Sequence, residues 1–368
     1  MRRHSGQHGG DVALYGTLLL GVMPRLIETR ALNYAGVGPE DLRAAHAKLI
    51  SAIGYECYRA LANANMMDRL VGMTRRKIRE VAAVPELMEA VVDAIVRGGY
   101  AQISGGRFTR PAELVPPREV PLWVDRISRA LRAMFTSLPD LLISGRSVEP
   151  KKEDLRLALM AMYDNPAARF ESAIALLSIG LTDETLLRRW GDVGLIPATL
   201  LVPWSELGLI TVDALRLTGM RVVAAAPPGS GRLVRLVVTT QGPIEEKRLR
   251  MLESDLMEFG LKLRRESVIE GQADAALLVN VFQWLEDPVT FFESLRWALS
   301  DEAPIFILQG IWGEDARIMG LVYPLIGAKL PPTLKELQSA LTEAGLKFRE
   351  LARTRGVVLL RAARREVS

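Results

Sequence analysis

The chain has 368 residues, of which 49% are hydrophobic and 24% charged, and its formal net charge is +4. This composition is typical of a globular protein with two or three domains, and such a mild charge does not by itself indicate a nucleic-acid partner. The single cysteine, Cys57, excludes a disulfide framework and a cysteine-based zinc cluster. All three histidines lie within residues 1–46, so the remainder of the chain cannot supply a histidine to an active site.

Arginine outnumbers lysine 38 to 9, and asparagine and glutamine together number only 12. Scarce amides are typical of thermophilic proteins, although a GC-rich genome explains the arginine excess equally well. Residues 12–23 form an apolar run that is too short for a membrane span, which takes roughly 20 residues. Because Asp11 borders this run and no small-residue cleavage site follows, we interpret it as a buried or dimer-covering helix. We therefore expect a cytoplasmic protein with no membrane partner.

The first part of the chain predicts a winged helix. Apolar residues recur at helical spacing across 39–71, and two shorter helical segments follow at 74–83 and 85–97. Two short strands around a Gly-Gly turn complete the pattern. We expect an all-α winged-helix dimerisation domain over residues 1–115.

Apolar helices at 12–27 and 42–62 exceed what a small winged helix can bury alone. A large apolar surface of this kind marks an interface, and two-fold dimers are the commonest assembly. The sequence therefore predicts a homodimer.

The remainder of the chain changes pattern twice. Four prolines at 111–121 mark a linker, and helical periodicity then continues to about residue 190. From there strands and helices alternate, with strands predicted at 261–268, 273–282, 303–310 and 356–365 and helices at 243–259, 287–300 and 333–345. Alternation with nearly continuous apolar strands indicates an α/β fold with a parallel sheet covered on both faces. We expect a helical connector at 116–190 and a Rossmann-like sheet domain at 191–368.

Within residues 274–310, Asp274 opens a predicted strand, Asp287-Pro288 begins a helix, and the apolar run Ile305–Leu308 forms the next strand. This order resembles the fourth and fifth strands of class I S-adenosylmethionine-dependent methyltransferases. With the winged helix and helical connector, the chain resembles the small-molecule O-methyltransferases over residues 40–363. That resemblance implies a bound S-adenosylmethionine, no metal, and a hydrophobic small molecule as substrate. It also implies that Asp274 belongs to the cofactor region.

The family's glycine-rich loop can be placed at two positions. If the first strand is 198–202, the loop is 203–208 and contributes Trp204, Ser205 and Gly208 to the cofactor site. If the first strand is 221–226, the loop is 227–231 and contributes Gly229 and Gly231. Glycine is needed in this loop because the backbone must approach the cofactor closely.

At the other positions where this family has functional residues, the sequence lacks the expected acidic and histidine side chains. Neither placement ends the first strand with an acid, since Val202 or Ala224 stands there, and neither ends the second strand with the carboxylate that binds the ribose. The position of the catalytic histidine falls on Gln283, and an amide cannot carry a proton away. We therefore predict a methyltransferase-like homodimer whose S-adenosylmethionine site is degenerate, either non-catalytic or with an altered ligand. An active methyltransferase acting on a hydrophobic small molecule is the alternative.

A third hypothesis is a DNA-binding regulator that uses the winged helix. The second helix carries cations that could contact phosphates: Arg75, Arg76, Lys77 and Arg79. The third helix, which should enter the major groove, carries acids that would repel phosphate: Glu86, Glu89 and Asp93. We therefore expect no sequence-specific nucleic-acid partner.

Overall fold

The structure is a computed structural model, and it describes residues 22–110, 122–146, 165–182, 198–205, 208–240, 246–265, 272–313, 317–353 and 356–364. Parts of the predicted helical connector, including residues 147–164 and 183–190, and most of the apolar run at 12–23 lie outside these residues. None of the helices within the described ranges is long and apolar enough to cross a membrane.

The chain divides into two compact units. One takes residues from 1–39, 169–311 and 332–368, and the other takes residues from 40–168 and 312–331. We call them the sheet unit and the helical unit. This grouping differs from the predicted division at residues 115 and 190, because helix Val22–Ala35 joins the sheet unit and residues 312–331 join the helical unit.

The first elements of the chain are helices followed by a short hairpin: α1 Val22–Ala35, α2 Pro39–Asn63, α3 Met67–Leu70, α4 Arg75–Glu80, α5 Pro85–Arg97, β1 Gln102–Ser104, β2 Arg107–Thr109, α6 Leu122–Phe135 and α7 Leu138–Ser144. Thr74 caps α4 by accepting a hydrogen bond from the Lys77 backbone N–H, as predicted. The helix predicted over 39–71 ends at Asn63 instead, since Asn65 takes a left-handed conformation with φ 55°. The order of three helices and a hairpin is otherwise as expected.

The later elements alternate: α8 Pro166–Thr182, β3 Thr199–Val202, α9 Leu209–Leu217, β4 Arg221–Ala226, α10 Gly231–Thr240, β5 Leu249–Glu253, α11 Phe259–Arg265, β6 Ala275–Val279, α12 Pro288–Trp297, β7 Ile305–Gly310, α13 Arg317–Gly320, α14 Val322–Leu325, α15 Leu334–Glu343, β8 Lys347–Arg353 and β9 Val357–Ala363. The described strands of the sheet unit form one sheet in the order β5-β4-β3-β6-β7-β9-β8. β9 runs antiparallel to β7 and β8, and the other pairs are parallel. The strand order reverses between β3 and β6, which is where open α/β sheets bind ligands.

Helices cover both faces of this sheet. On one face Leu201, Ala276 and Ile307 pack with buried side chains of α11, α12 and α15. On the other face the alternate residues, such as Leu200 and Phe306, pack with α8, α9 and α10. Alternate strand residues therefore enter two separate apolar cores, which explains the nearly continuous apolar strands in the sequence.

Two predicted elements near the centre of the sheet unit are wrong. The helix predicted through 249–253 is strand β5, and the strand predicted from 261 is helix α11. In α11 the buried Phe259 and Leu263 are four residues apart, whereas Leu261 is 45% exposed, so the apparent alternation is a helical face. Residues 231–240, where no element was predicted, form helix α10, whose Val234 and Val238 are buried at the same spacing.

Candidate functional site

The carboxyl ends of β3, β4, β5 and β6 form the edge where a methyltransferase-like sheet would hold a ligand. β3 is the first strand of this sheet and β4 its parallel neighbour, which is the strand assignment of the first of the two loop placements. Trp204, Ser205 and Gly208 follow β3, and Gly229 and Gly231 follow β4. Five of the predicted site residues therefore lie on neighbouring loops at one edge.

The polar groups of Ser205, in the loop after β3, are used within the protein. The Ser205 backbone N–H donates to the Ala225 carbonyl at 3.0 Å, and its hydroxyl oxygen accepts from Thr211 at 2.7 Å. Ser205 is only 1% exposed. Its donor and acceptor therefore hold the loop against β4 and helix α9.

Gly208 has a packing role in this loop. It begins helix α9 with φ 77°, and a Cβ there would lie 2.8 Å from the Val234 Cγ1 atom of α10. Glycine is therefore required by the left-handed conformation and by the close approach of α10. This requirement holds whether or not a cofactor binds nearby.

Two tryptophans meet across the point where the strand order reverses. The ring centroids of Trp204, after β3, and Trp284, after β6, are 6.0 Å apart with an interplanar angle of 39°. Both side chains are half-buried and pack on the apolar core of the sheet. An aromatic contact thus joins the two loops between which a methyltransferase-like fold would hold its cofactor.

The loop after β4 contains no carboxylate of its own, since β4 ends at the buried Ala226 and two prolines follow. Its backbone donors are instead bound by Glu253, the last residue of β5. The Glu253 carboxylate accepts from the N–H groups of Gly229, at 3.1 Å, and Gly231, at 3.0 Å. A Cβ at Gly231 would collide with this carboxylate, so the glycine permits the contact.

Gln283 lies in a buried network of amides beyond β6. Its Oε1 accepts from Gln309 Nε2 at 3.0 Å, and its Nε2 donates to the Asn280 carbonyl at 2.5 Å. Gln309 also accepts from the Phe282 backbone N–H at 3.1 Å. Gln283 is only 2% exposed, and both its amide oxygen and its amide nitrogen form hydrogen bonds within the protein.

Asp274 lies apart from the other predicted residues. It precedes β6, at the amino edge of the sheet, where it accepts from the Thr199 backbone N–H at 2.8 Å. A residue that opens a parallel strand lies at the edge opposite the ligand crevice, so Asp274 ties the starts of β3 and β6 together. We therefore exclude it from the candidate site.

Glu253 and the amides around Gln283 were missed by the sequence analysis. Glu253 was hidden because its strand was assigned to a helix. A carboxylate at the end of a third strand, just before a polar Ser-Asp pair, is a signal that a correct strand assignment would have revealed. The described residues contain no group of three or more potential metal ligands, and the lone thiol of Cys57 is buried, which raises its pKa well above the ordinary value.

Several charged side chains of the winged helix form ion pairs with one another. Arg75 pairs with Asp93 at 2.6 Å, and Arg79 contacts Glu86 and Glu89 within 3.5 Å. Arg317 of α13 contacts Glu89 at 3.3 Å, also within the helical unit. Arg75 and Arg79, two of the four cations that could have met phosphates, are therefore paired with acids of α5.

The comparisons with known proteins are structural. No protein-family model matches the sequence, and the search of curated proteins finds no significant match. The C-methyltransferase domain of the citrinin polyketide synthase is 13% identical, with 94% of this chain and 97% of that chain covered and a TM-score of 0.57. The CurJ carbon methyltransferase is 11% identical, with 93% and 98% covered and a TM-score of 0.56. An O-methyltransferase family 2 protein from Planctomyces limnophilus DSM 3776, in complex with apigenin, is 14% identical, with 94% and 96% covered and a TM-score of 0.47.

The chain therefore has the fold of the class I methyltransferases. The strand order agrees with this assignment, and the expectation of a Rossmann-like sheet preceded by a helical region is confirmed. At 11–13% identity the similarity establishes the fold alone.

Proposed function

We propose that this chain is a non-catalytic methyltransferase-fold protein whose cofactor crevice is filled by its own side chains. The contact between Trp204 and Trp284 is the observation that carries this proposal. The two indoles bridge the loops after the first and fourth strands, where the adenosine and methionine parts of S-adenosylmethionine would need open space.

The described residues do not fit S-adenosylmethionine. A ribose diol needs a carboxylate at the end of the second strand, because a charge-assisted hydrogen bond is roughly twice as strong as a neutral one. Ala226 stands at that position, and Pro227 after it removes a backbone donor. The donors of Gly229 and Gly231 are already bound by Glu253.

The position expected for a catalytic base supports the same proposal. A neutral amide does not accept a proton near pH 7, and both ends of the Gln283 amide are engaged by Gln309 and Asn280. No group at this position can therefore remove a proton from a substrate hydroxyl.

An active methyltransferase acting on a hydrophobic small molecule is the second candidate. The exposed carboxylates of Glu253 and Asp255 at the end of β5 favour it, since they lie at the edge where a nucleoside would bind. For this candidate to hold, Trp204 would have to leave Trp284, and Glu253 would have to exchange its backbone partners for ribose hydroxyls.

Calorimetry with S-adenosylhomocysteine separates the two candidates. We expect the unaltered chain to bind it with a Kd weaker than about 1 mM, which corresponds to about −4 kcal/mol. The double variant Trp204→Ala/Trp284→Ala should bind at least about tenfold more tightly, because the crevice is then open. Trp297→Ala, which removes a tryptophan that is 64% exposed, is the matched control and should change nothing. Micromolar binding by the unaltered chain would reject the proposal in favour of the active enzyme.

We also propose that the protein is a cytoplasmic homodimer without a specific nucleic-acid partner. Large apolar side chains between 44% and 66% exposed in the helical unit support an interface there: Val71, Val81, Leu122 and Ile143. Light scattering at micromolar concentration should give twice the 40.6 kDa mass of one chain. The double variant Leu122→Asp/Ile143→Asp should shift the mass toward one chain, and a monomeric unaltered protein would contradict the expectation.

A further inference from the structure

Helix α1 contacts helix α9 through a buried polar pair outside the candidate site. The Tyr34 hydroxyl donates to Asp213 Oδ1, and Asp213 is only 3% exposed. The second carboxylate oxygen, Oδ2, is buried and has no hydrogen-bond partner among the residues that the structure describes. The guanidinium carbon of Arg169 in α8 lies 5.6 Å from the centre of the Tyr34 ring and covers it. All of these residues belong to the sheet unit.

A buried carboxylate with only one satisfied oxygen is costly when it is ionised. An ionised carboxylate can accept about four hydrogen bonds, and burial removes the water that would otherwise supply them. Among the described residues, the charged groups facing this pair are Arg216 of α9 and Arg169 of α8. Arg216 is exposed, so water screens its attraction for the carboxylate.

We propose that Tyr34 and Asp213 form a proton-dependent latch that holds helix α1 on helix α9 and loosens when Asp213 ionises. Protonation removes the buried charge, whereas ionisation favours release of α1 and hydration of the carboxylate. The latch acts on the helix that also carries Thr211, whose hydroxyl binds Ser205 in the loop after β3.

The direction of the pH dependence follows from linkage. Burial is the main cause that raises the pKa of Asp213 from 3.8 to about 7, and the Tyr34 hydrogen bond and Arg216 partly oppose it. When α1 is released and Asp213 meets water, its pKa returns to the ordinary range. The docked state thus holds the proton more tightly, so docking is strongest below about pH 4 and weakens as the pH rises to about 7. Between about pH 5.5 and about pH 8.5 the docking constant should fall about thirtyfold.

Hydrogen–deuterium exchange of the full-length chain tests the latch on peptides that cover residues 22–35. After correction for intrinsic exchange rates, the unaltered chain should open this helix about thirtyfold more at about pH 8.5 than at about pH 5.5. Asp213→Asn, which keeps the shape but cannot titrate, should remove this difference.

Two further variants keep the test decisive. Tyr34→Phe should lose protection at both pH values and retain a pH response, because Asp213 stays buried. Asp140→Asn, at an exposed position in the helical unit, should leave the response of α1 unchanged. Equal protection of residues 22–35 at both pH values in the unaltered chain, or a pH response that survives in Asp213→Asn, would overturn the latch.

Discussion

Replacing Gly208 by valine should destabilise the protein by about 2–5 kcal/mol, although we assign the residue a packing role and no ligand. Gly208 has φ 77°, a conformation that costs a β-branched residue about 1–2 kcal/mol. The new side chain would also begin 2.8 Å from Val234 Cγ1 and 3.1 Å from the Val234 carbonyl oxygen. Overpacking a tight core of this kind costs about 1–3 kcal/mol more. Urea unfolding, followed by circular dichroism, measures the total.

Gly229→Val is the matched control for that experiment. Gly229 has nearly the same backbone conformation, with φ 75°, but nothing lies within 4 Å of where its Cβ would be. Only the backbone cost of about 1–2 kcal/mol applies there. Equal losses in the two variants would show that α10 yields to the valine, and would contradict a packing role for Gly208.

Removing both arginines that contact Glu56 should lower the free energy of unfolding by a similar amount. Glu56 in α2 is completely buried, and its carboxylate contacts Arg59 at 2.7 Å and Arg132 of α6 at 3.2 Å. In the variant Arg59→Met/Arg132→Met the carboxylate would remain buried without a cation. Such an uncompensated charge costs about 3–5 kcal/mol of unfolding free energy. Denaturant unfolding of the full-length chain measures it.

Adding Glu56→Leu to this variant should recover most of the loss, since an apolar replacement of a buried ion pair is often neutral or better. Arg76→Met, which breaks an exposed pair with Glu80, serves as a surface control and should leave the stability unchanged. If the triple variant is as unstable as the double variant, the arginines contribute packing rather than charge compensation.

The elements that the sequence predicted well are those whose apolar pattern and caps agree. Asp287 accepts from the backbone N–H groups of Val289 and Thr290, so the predicted start of α12 is confirmed. The low solvent exposure of Ile305–Leu308 likewise matches the strand predicted there. The predictions failed at β5 and α11, where a short stretch of sequence fits both the helical and the strand period. Tertiary burial, rather than the local pattern, decides between the two structures there.

The candidate site was only partly predictable for a related reason. The sequence located Trp204, Ser205 and Gly208 as one of two possible loops, but it could not show that Trp204 meets Trp284 from 80 residues away. The contact of Glu253 with the loop after β4 required the correct third strand. Strand direction alone places Asp274 at the amino edge, so this position could have been inferred from the sequence.

A crystal structure of the unaltered chain soaked with S-adenosylhomocysteine tests the central claim most directly. We expect the rings of Trp204 and Trp284 to remain in contact and Glu253 to keep its hydrogen bonds to Gly229 and Gly231, with no nucleoside density beside them. Density for S-adenosylhomocysteine between the loops after β3 and β6, with the two indoles separated, would contradict it.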